Sequence, residues 1–249
     1  MSDDIAVNRG RAARLVIEVA APAFLVVLAV VSLLAGPVLG LVFSLLVGGG
    51  LAAYVWRAGP GLVRSSIGGR PADEREARVL NLVEGLGGAN GVAVPDLVVV
   101  DDPAPNALTF GLDSRSATIA LTTGLLERLS RVELEGVVAR EVARIKRHEI
   151  QPGTVAVAVL RVVGPVRPWA AHVRRLAAGE TSLVAADAEG VRLTRYPPGL
   201  ASALQRIGAE GRNLRVGTAA VAHLWLEPPA SSTDVHPTLE ERVEALREL

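Results

Sequence analysis

Cysteine is absent from this chain of 249 residues. Disulfides, thiolate catalysis and cysteine-ligated zinc are thereby excluded. Aromatic residues make up only 3%, too few to build the stacking platforms that grip bases or sugars. Neither sign of charge is in excess, since 26 Lys+Arg face 26 Asp+Glu. A nucleic-acid partner usually leaves a basic surplus or stripe, so none is expected. Lys146 is the only lysine, and arginine supplies the rest of the positive charge. Histidine occurs four times, at His148, His172, His223 and His236.

What the chain has in quantity is apolar sequence, 50% overall and concentrated near the N-terminus. From Val19 to Trp56 no residue is charged, a run of about 38 residues. That is too long for one membrane span of ~20 residues and suits two. Gly36-Pro37 marks a turn near the centre. The expected spans are Leu15–Leu34 and Val38–Trp56. A cleaved signal peptide would be shorter and would not continue into a second apolar segment. A soluble core hairpin is rarely apolar on every side. Glu18 falls where a carboxylate still reaches headgroups, and Pro22 lies early enough in the first helix to be tolerated.

Arg9, Arg11 and Arg14 precede the pair, and Arg57, Arg64 and Arg70 follow it. The connecting turn carries no charge. Positive flanks stay inside, so both are expected in the cytoplasm. The domain expectation is a cytoplasmic N-terminus at 1–14, a transmembrane hairpin at 15–57, a linker at 58–71 and a cytoplasmic domain at 72–249. The lipid bilayer is the first expected partner, and the cell membrane the expected location.

Within the domain, a helix is expected from Ala72 to Leu86, stopped by Gly87-Gly88. Strands are expected at Pro95–Val100 and Ala117–Thr122, which are rich in small and β-branched residues. Ser130 and Glu133 form a capping-box pattern that starts the next helix, expected to reach His148 and to be broken by Pro152-Gly153. Residues 154–170 are apolar but interrupted by Arg161, Gly164-Pro165 and Arg167. A central arginine is costly in lipid, so this segment is expected to lie beside the membrane or buried rather than to span it. Helices follow at 182–193, 198–209 and 239–249. No internal repeat is present. The fold class is mainly α with a small sheet (α+β).

The capped helix carries "VVAREVARIKRHEI", residues 137–150. At 100° per residue, Leu134, Val137, Val138, Val142 and Ile145 share one arc. Glu141 lies inside that arc, and Arg140 and Arg144 share a face at its edge. A glutamate within an apolar stripe requires a partner or a chemical role. Local pairing with an arginine is the simplest solution.

The wider chain resembles the HtpX-type family of membrane-anchored zinc metallopeptidases, in the gluzincin group that includes the CAAX prenyl proteases. The resemblance covers most of the chain and starts with the membrane hairpin. It continues through "DDPAPNALTFG", where Asn106-Ala107 match the family's Asn-Ala-Phe loop and Leu108 takes the aromatic's place. It runs through "ATIALTTGLLERLSRVELEGVVAREVARIKRHE", the strand and helix of the family's HExxH. "AADAEGVRLTRYPPGLASAL" follows the end of its ExxAD helix, and "HLWLEPP" and "HPTLEERVEAL" carry its C-terminal His-Pro motif.

In that family, two histidines four residues apart bind zinc, and the glutamate beside the first acts as general base on the bound water. A later glutamate completes the ligand set. Here the histidine positions hold Arg140 and Arg144, and the glutamate position holds Leu183. Glu141 keeps the base position and Asp187 the supporting acidic one. Guanidinium stays protonated and offers no lone pair, and leucine offers none. A shifted motif beginning at His148-Glu149 fails, because its second ligand position is Pro152. Glu180, one turn before Leu183, would still require two further ligands.

The resemblance therefore implies a zinc metalloendopeptidase scaffold concerned with proteolysis and protein quality control, while the residues imply a member without zinc. The expectation is a non-catalytic pseudopeptidase that binds peptides or membrane-protein partners, with no cofactor. The alternative is an active metalloendopeptidase with a rebuilt metal site. At least one of Arg140 and Arg144 is expected to turn inward, pairing with Glu141 or Asp187. His236 is a candidate cleft contact, Arg242 a tie between the last helix and the domain, and Asn106 a loop anchor. The strand at 117–122 is expected to offer an edge to an extended peptide.

Overall fold

The computed structural model describes residues 2–178, 182–230 and 237–249. Two long helices open it, α1 (Ser2–Ala35) and α2 (Pro37–Ile67). They meet at Gly36, whose φ of 91° suits a residue without a side chain. Gly40, Ser44 and Gly48 recur every fourth residue on α2 and are buried against α1. A Cβ on Gly40 would lie 2.0 Å from Ser32 Oγ, and one on Gly48 would lie 2.9 Å from Phe24 Cβ. Small residues at this period let the two backbones approach closely, as in membrane helix pairs. Outward, the same helices expose Leu25, Val26, Val30, Leu33, Leu34, Leu41, Phe43 and Leu46. Both are long and apolar enough to cross a membrane.

The domain-proximal ends of α1 and α2 are packed rather than bare. Ala12, Leu15, Val19 and Val55 join one apolar cluster with α6 (Ile150–Val163) and α7 (Arg167–Ala178). Gly59 allows the crossing, since a Cβ there would lie 2.4 Å from the Thr154 carbonyl oxygen. The stretch 58–71, expected as a linker, is helical through Ile67. Gly59, Val63 and Ile67 form the buried stripe that keeps it so. The segment 154–170 resolves into most of α6, a turn and the start of α7. α6 is buried along nearly its whole length.

The domain begins with β1 (Arg70–Pro71), a capped 3-10 turn at Glu74–Glu76 and α3 (Ala77–Ala89). The predicted helix at 72–86 starts later because the Asp73 side chain accepts from Arg75 N and fixes the turn first. β2 (Asp96–Val100), β3 (Ala107–Phe110) and β4 (Thr118–Thr122) complete a four-stranded sheet of order β1-β2-β4-β3. β2 and β4 are parallel, and β3 returns antiparallel to β4. β4 therefore lies between two strands. The edge predicted for 117–122 does not exist, and the outer strand on that side is β3.

α4 (Thr123–Arg128) leads to α5 (Arg131–Lys146), which is followed after α7 by α8 (Ser182–Thr194), α9 (Pro197–Ile207) and α10 (Leu239–Arg247). Val137, Val138, Val142 and Ile145 of α5 are fully buried in the main core with Leu200 and Leu204 of α9. Each such side chain contributes roughly 1.5–3 kcal/mol of hydrophobic stabilisation. α5 ends at Lys146, short of the predicted His148. His148 adopts φ 58° and turns the chain. Pro152 does not break a helix; it lies in the first turn of α6, where its missing N–H has no intrahelical partner to lose.

Candidate functional site

Two glycines set the position of α5. A Cβ on Gly136 would meet Leu200 N at 2.8 Å, and one on Gly190 would meet Arg140 Cα at 2.6 Å. α9 and α8 thus press onto α5 at van der Waals distance. Asp187 precedes Gly190 by one helical turn, so the close approach aims its carboxylate at α5. At the N-terminus of α5, the predicted capping box is formed. Ser130 Oγ accepts from Glu133 N, and Glu133 Oε2 accepts from Ser130 N at 2.8 Å.

At the centre, Arg140 and Glu141 have no solvent exposure. Arg140 Nε donates to Asp187 Oδ1 at 2.6 Å, and its Nη1 donates to Glu141 Oε1. Arg144 Nη1 donates to the other oxygen, Glu141 Oε2, at 2.8 Å. Arg242 of α10 grips Asp187 from the opposite side: Nε donates to Oδ2 at 2.7 Å and Nη2 to Oδ1 at 3.0 Å. Its Nη1 donates to the Leu226 carbonyl at 3.0 Å. The result is one chain of alternating charge, Arg144–Glu141–Arg140–Asp187–Arg242. Both arginines at the former histidine positions reach the acidic residues, where at least one was expected to.

Burial by itself would push the Glu141 carboxyl up, but the charges of Arg144 and Arg140 outweigh it and hold the group at about 2. The buried Thr109 hydroxyl also favours the carboxylate, although its geometry falls short of a hydrogen bond. Burial likewise disfavours the Arg140 cation, and the Glu141 and Asp187 charges reverse that and raise its pKa. Glu149, just beyond α5, behaves oppositely. Its burial raises the carboxyl, and the charges of Arg144 and of Arg147, whose Nε lies 3.2 Å from Oε1, do not compensate.

The donor set does not fit zinc. Arg140 and Arg144 have no lone pair to give, and Leu183, half-buried on α8, has no donor atom. Among the described residues, no three His, Asp or Glu side chains gather into a metal-binding group. Both oxygens of Glu141 are held by guanidinium groups, so a water beside it would meet a weak base.

Asn106 is fully committed to structure. Its Nδ2 donates to the Gly211 and Glu227 carbonyls at 2.7 Å each, and its Oδ1 accepts from Ala107 N and Glu227 N. Leu226 N donates to the Ala107 carbonyl at 2.7 Å, and Leu108 pairs with Trp225. The outer edge of β3 is thus already taken in part by the chain itself. His236 and Glu180 lie outside the described residues. His148 lies four residues past Arg144 but its buried Nδ1 has no hydrogen-bond partner among the described residues, and His172 is engaged elsewhere, its Nε2 3.0 Å from Glu18 Oε2 on α1.

Sequence reasoning missed the double role of Arg242, which clamps Asp187 and the 226 carbonyl together. It also missed Gln151, buried next to α5, and the partly buried Glu149. The His148-Glu149 pair at the α5–α6 junction was visible, but nothing in its spacing marks it as partly buried.

Residues 72–249 match the family model described as Peptidase family M48. The chain is 32% identical to the Protease HtpX homolog of Tropheryma whipplei (strain Twist), over 87% of this chain and 89% of that protein. It is 32% identical to the Protease HtpX homolog of Dictyoglomus turgidum, over 71% of each. A Protease HtpX homolog of Listeria monocytogenes serotype 4a is 26% identical over 71% of this chain and 75% of its own length.

Proposed function

The chain belongs to peptidase family M48, within its HtpX-type membrane metallopeptidases, and from that premise we propose that it is a non-catalytic member that serves as a membrane-anchored binding protein. The single observation that carries this reading is Arg140. Its guanidinium lies between Glu141 and Asp187, bonded to both, where the family's chemistry places a metal ligand. A permanent cation there bridges the two buried acidic residues, each of which would otherwise be left with a single arginine partner. The water-activating step has neither a Lewis acid nor a free base.

The anchor is the α1–α2 hairpin, with both arginine-rich ends and the 72–249 domain in the cytoplasm. Of the two partner classes, membrane proteins are favoured over extended peptides. The Ala107 carbonyl on the β3 edge is occupied by Leu226 N, while α1 and α2 present long apolar faces.

Elemental analysis of the full chain, purified in detergent with zinc present, tests the loss of metal chemistry. Substoichiometric zinc, together with no chelator-sensitive cleavage of an unfolded membrane-protein substrate, is expected. Stoichiometric zinc that is lost on replacing one of the four histidines would establish the active alternative instead.

A further inference from the structure

Glu135 stands apart from the other carboxylates of this chain. It is half-buried on α5, and among the described residues no hydrogen bond or ion pair engages it. Every other described carboxylate withdrawn from full exposure has such a partner. Glu133, two residues earlier, bonds Ser202 and Arg206; Asp187 bonds Arg140 and Arg242; Glu189 bonds Arg192. A partly desolvated charge without a counter-charge is unfavourable, and packing alone gives no reason for one here. Arg131 and Arg195, both beside Glu135 or its neighbours in sequence, are exposed, and neither pairs with it.

Glu135 lines a cleft of about 270 Å³ together with Val132, Gly136, Thr194 and Tyr196. Small-molecule clefts begin at about 300 Å³, so this one suits a side chain rather than a cofactor. A Cβ on Gly199 would lie 3.2 Å from both Tyr196 Cδ1 and Val132 Cγ1, so the ring and the methyl group are neighbours in its wall. Tyr196 is 52% exposed and Val132 47%. α8 ends at Thr194, in the same wall, and Arg195 turns the chain there with φ 55°. A helix C-terminus carries partial negative charge. A free carboxylate, an open aromatic face and the end of α8 thus all favour a cation. α5 rises roughly 16 Å from Glu135 to Lys146, and the Arg147 carbonyl just beyond accepts from Asn8 Nδ2 on α1 at 3.1 Å. The cleft is therefore at the end of α5 remote from α1, open to water.

Resting on the binding role proposed above, we infer that this cleft holds an arginine side chain of the partner protein, its guanidinium bonded to the Glu135 carboxylate and stacked on the Tyr196 ring. A planar guanidinium matches the two carboxylate oxygens and lies flat on an aromatic face. An ammonium group meets the carboxylate but stacks less well. The methylene stem of the arginine covers Val132, as long basic side chains do on apolar surface. The cytoplasmic loops of membrane proteins are enriched in arginine and lysine, so the partner class favoured above supplies the side chain that the cleft fits.

The scarcity of tyrosine makes the test direct. Tyrosine occurs twice, at Tyr54 and Tyr196, so meta-fluorotyrosine places one fluorine in the cleft and one on α2 as a control. The full chain in detergent is titrated with acetyl-Ala-Arg-Ala-amide and with its lysine and citrulline counterparts, followed by fluorine NMR. The arginine peptide should shift the Tyr196 resonance to saturation and leave Tyr54 unmoved. Citrulline, of the same shape without the charge, should shift neither, and lysine should bind roughly threefold more weakly than arginine. Glu135→Gln should weaken arginine binding roughly tenfold and leave thermal melting unchanged, because Glu135 has no partner within the chain. A Tyr196 resonance unmoved by the arginine peptide, an equal response to citrulline, or undiminished binding in Glu135→Gln would each overturn the cleft. An equal response to lysine would overturn the stacked guanidinium. A large drop in melting temperature in Glu135→Gln would assign that carboxylate to the fold instead. Zinc content of the same sample separates this inference from the reading beneath it. Stoichiometric zinc with a saturating Tyr196 shift would overturn the non-catalytic role and keep the cleft, whereas no zinc and no shift would overturn the cleft alone.

Discussion

Arg140 Nε lies 2.6 Å from Asp187 Oδ1, and the two side chains that make this bond are both withdrawn from solvent. The bond joins α5 to α8 at the point where Gly190 lets the helices touch. In a metallopeptidase of this family, a metal would tie these helices. Here an organic cation does so, and Arg242 extends the tie to α10. Guanidinium groups thus balance the buried carboxylates of Glu141 and Asp187 and join α5, α8 and α10.

Removing Arg140 should therefore unfold far more than a local contact. Arg140→Ala strands Asp187 with Arg242 alone and Glu141 with Arg144 alone, inside a core that water does not reach. Breaking a buried pair in this way costs about 3–5 kcal/mol. Arg144→Ala should cost roughly 1–2 kcal/mol, because Glu141 keeps Arg140 and Arg144 is partly exposed. Denaturant unfolding in detergent, followed by circular dichroism, would rank the two. Equal losses would contradict the network.

Acid should act through the same cluster. Glu141 is held at about 2, below its ordinary value of 4.5, because Arg144 and Arg140 outweigh the effect of burial. A depressed carboxyl stabilises the folded state fully above its unfolded pKa. That contribution, on the order of 3 kcal/mol, is lost as pH falls from about 4.5 towards 2. Glu133 is also held at about 2 and loses its contribution in the same window; its burial is outweighed by bonds to Ser202, Ser130 and Arg206. Comparing stability curves of the natural chain and Glu141→Gln isolates the central carboxylate. The variant should be less stable at neutral pH and fall less steeply below 4.5. Parallel curves would place the acid sensitivity elsewhere.

Much of this site was readable before the coordinates. Ser130 and Glu133 announced the start of α5, and the arc of Val137, Val138, Val142 and Ile145 announced its buried face. Glu141 inside that arc required a cationic partner, and Arg140 and Arg144 were the nearest. The sheet order was not readable, because β2 and β4 are both short apolar runs and nothing local says which is central. Hence the sequence predicts an edge where β4 is central. The closure of β3 by Leu226 depends on residues more than a hundred positions apart, a separation that spacing cannot encode. The drop in hydropathy at Arg57 predicts an end to the second span near Trp56, whereas Gly59, Val63 and Ile67 carry α2 on through tertiary packing.

If the scaffold is intact, metal binding should be restorable. Arg140→His, Arg144→His and Leu183→Glu together place two imidazoles four residues apart on α5 and a carboxylate on α8, the three-ligand arrangement that zinc favours. Asp187 keeps its clamp on Arg242. Calorimetric titration should show one zinc per chain, with affinity lost when any one substitution is reverted. A triple variant that folds, judged by an unchanged circular dichroism spectrum, yet binds no zinc would mean that α5 and α8 have moved apart from the spacing a metal requires.

The tightest steric control on that spacing is Gly190. A methyl group there would begin 2.6 Å from Arg140 Cα and 2.9 Å from Arg140 N, and both are backbone atoms that cannot rotate away. Gly190→Ala should push α8 off α5, lengthen the Arg140–Asp187 bond and destabilise the chain by roughly 1–3 kcal/mol or more. Gly49→Ala and Gly50→Ala on α2 meet nothing within 4 Å and should be neutral to mildly stabilising, since alanine favours a helix by about 1 kcal/mol over glycine. Thermal unfolding of the three variants in the same detergent compares them. If Gly190→Ala melted with the natural chain, α5 and α8 would not be in the contact that brings Asp187 to Arg140. The loss of metal ligands would then have been answered by some other arrangement of the same charges.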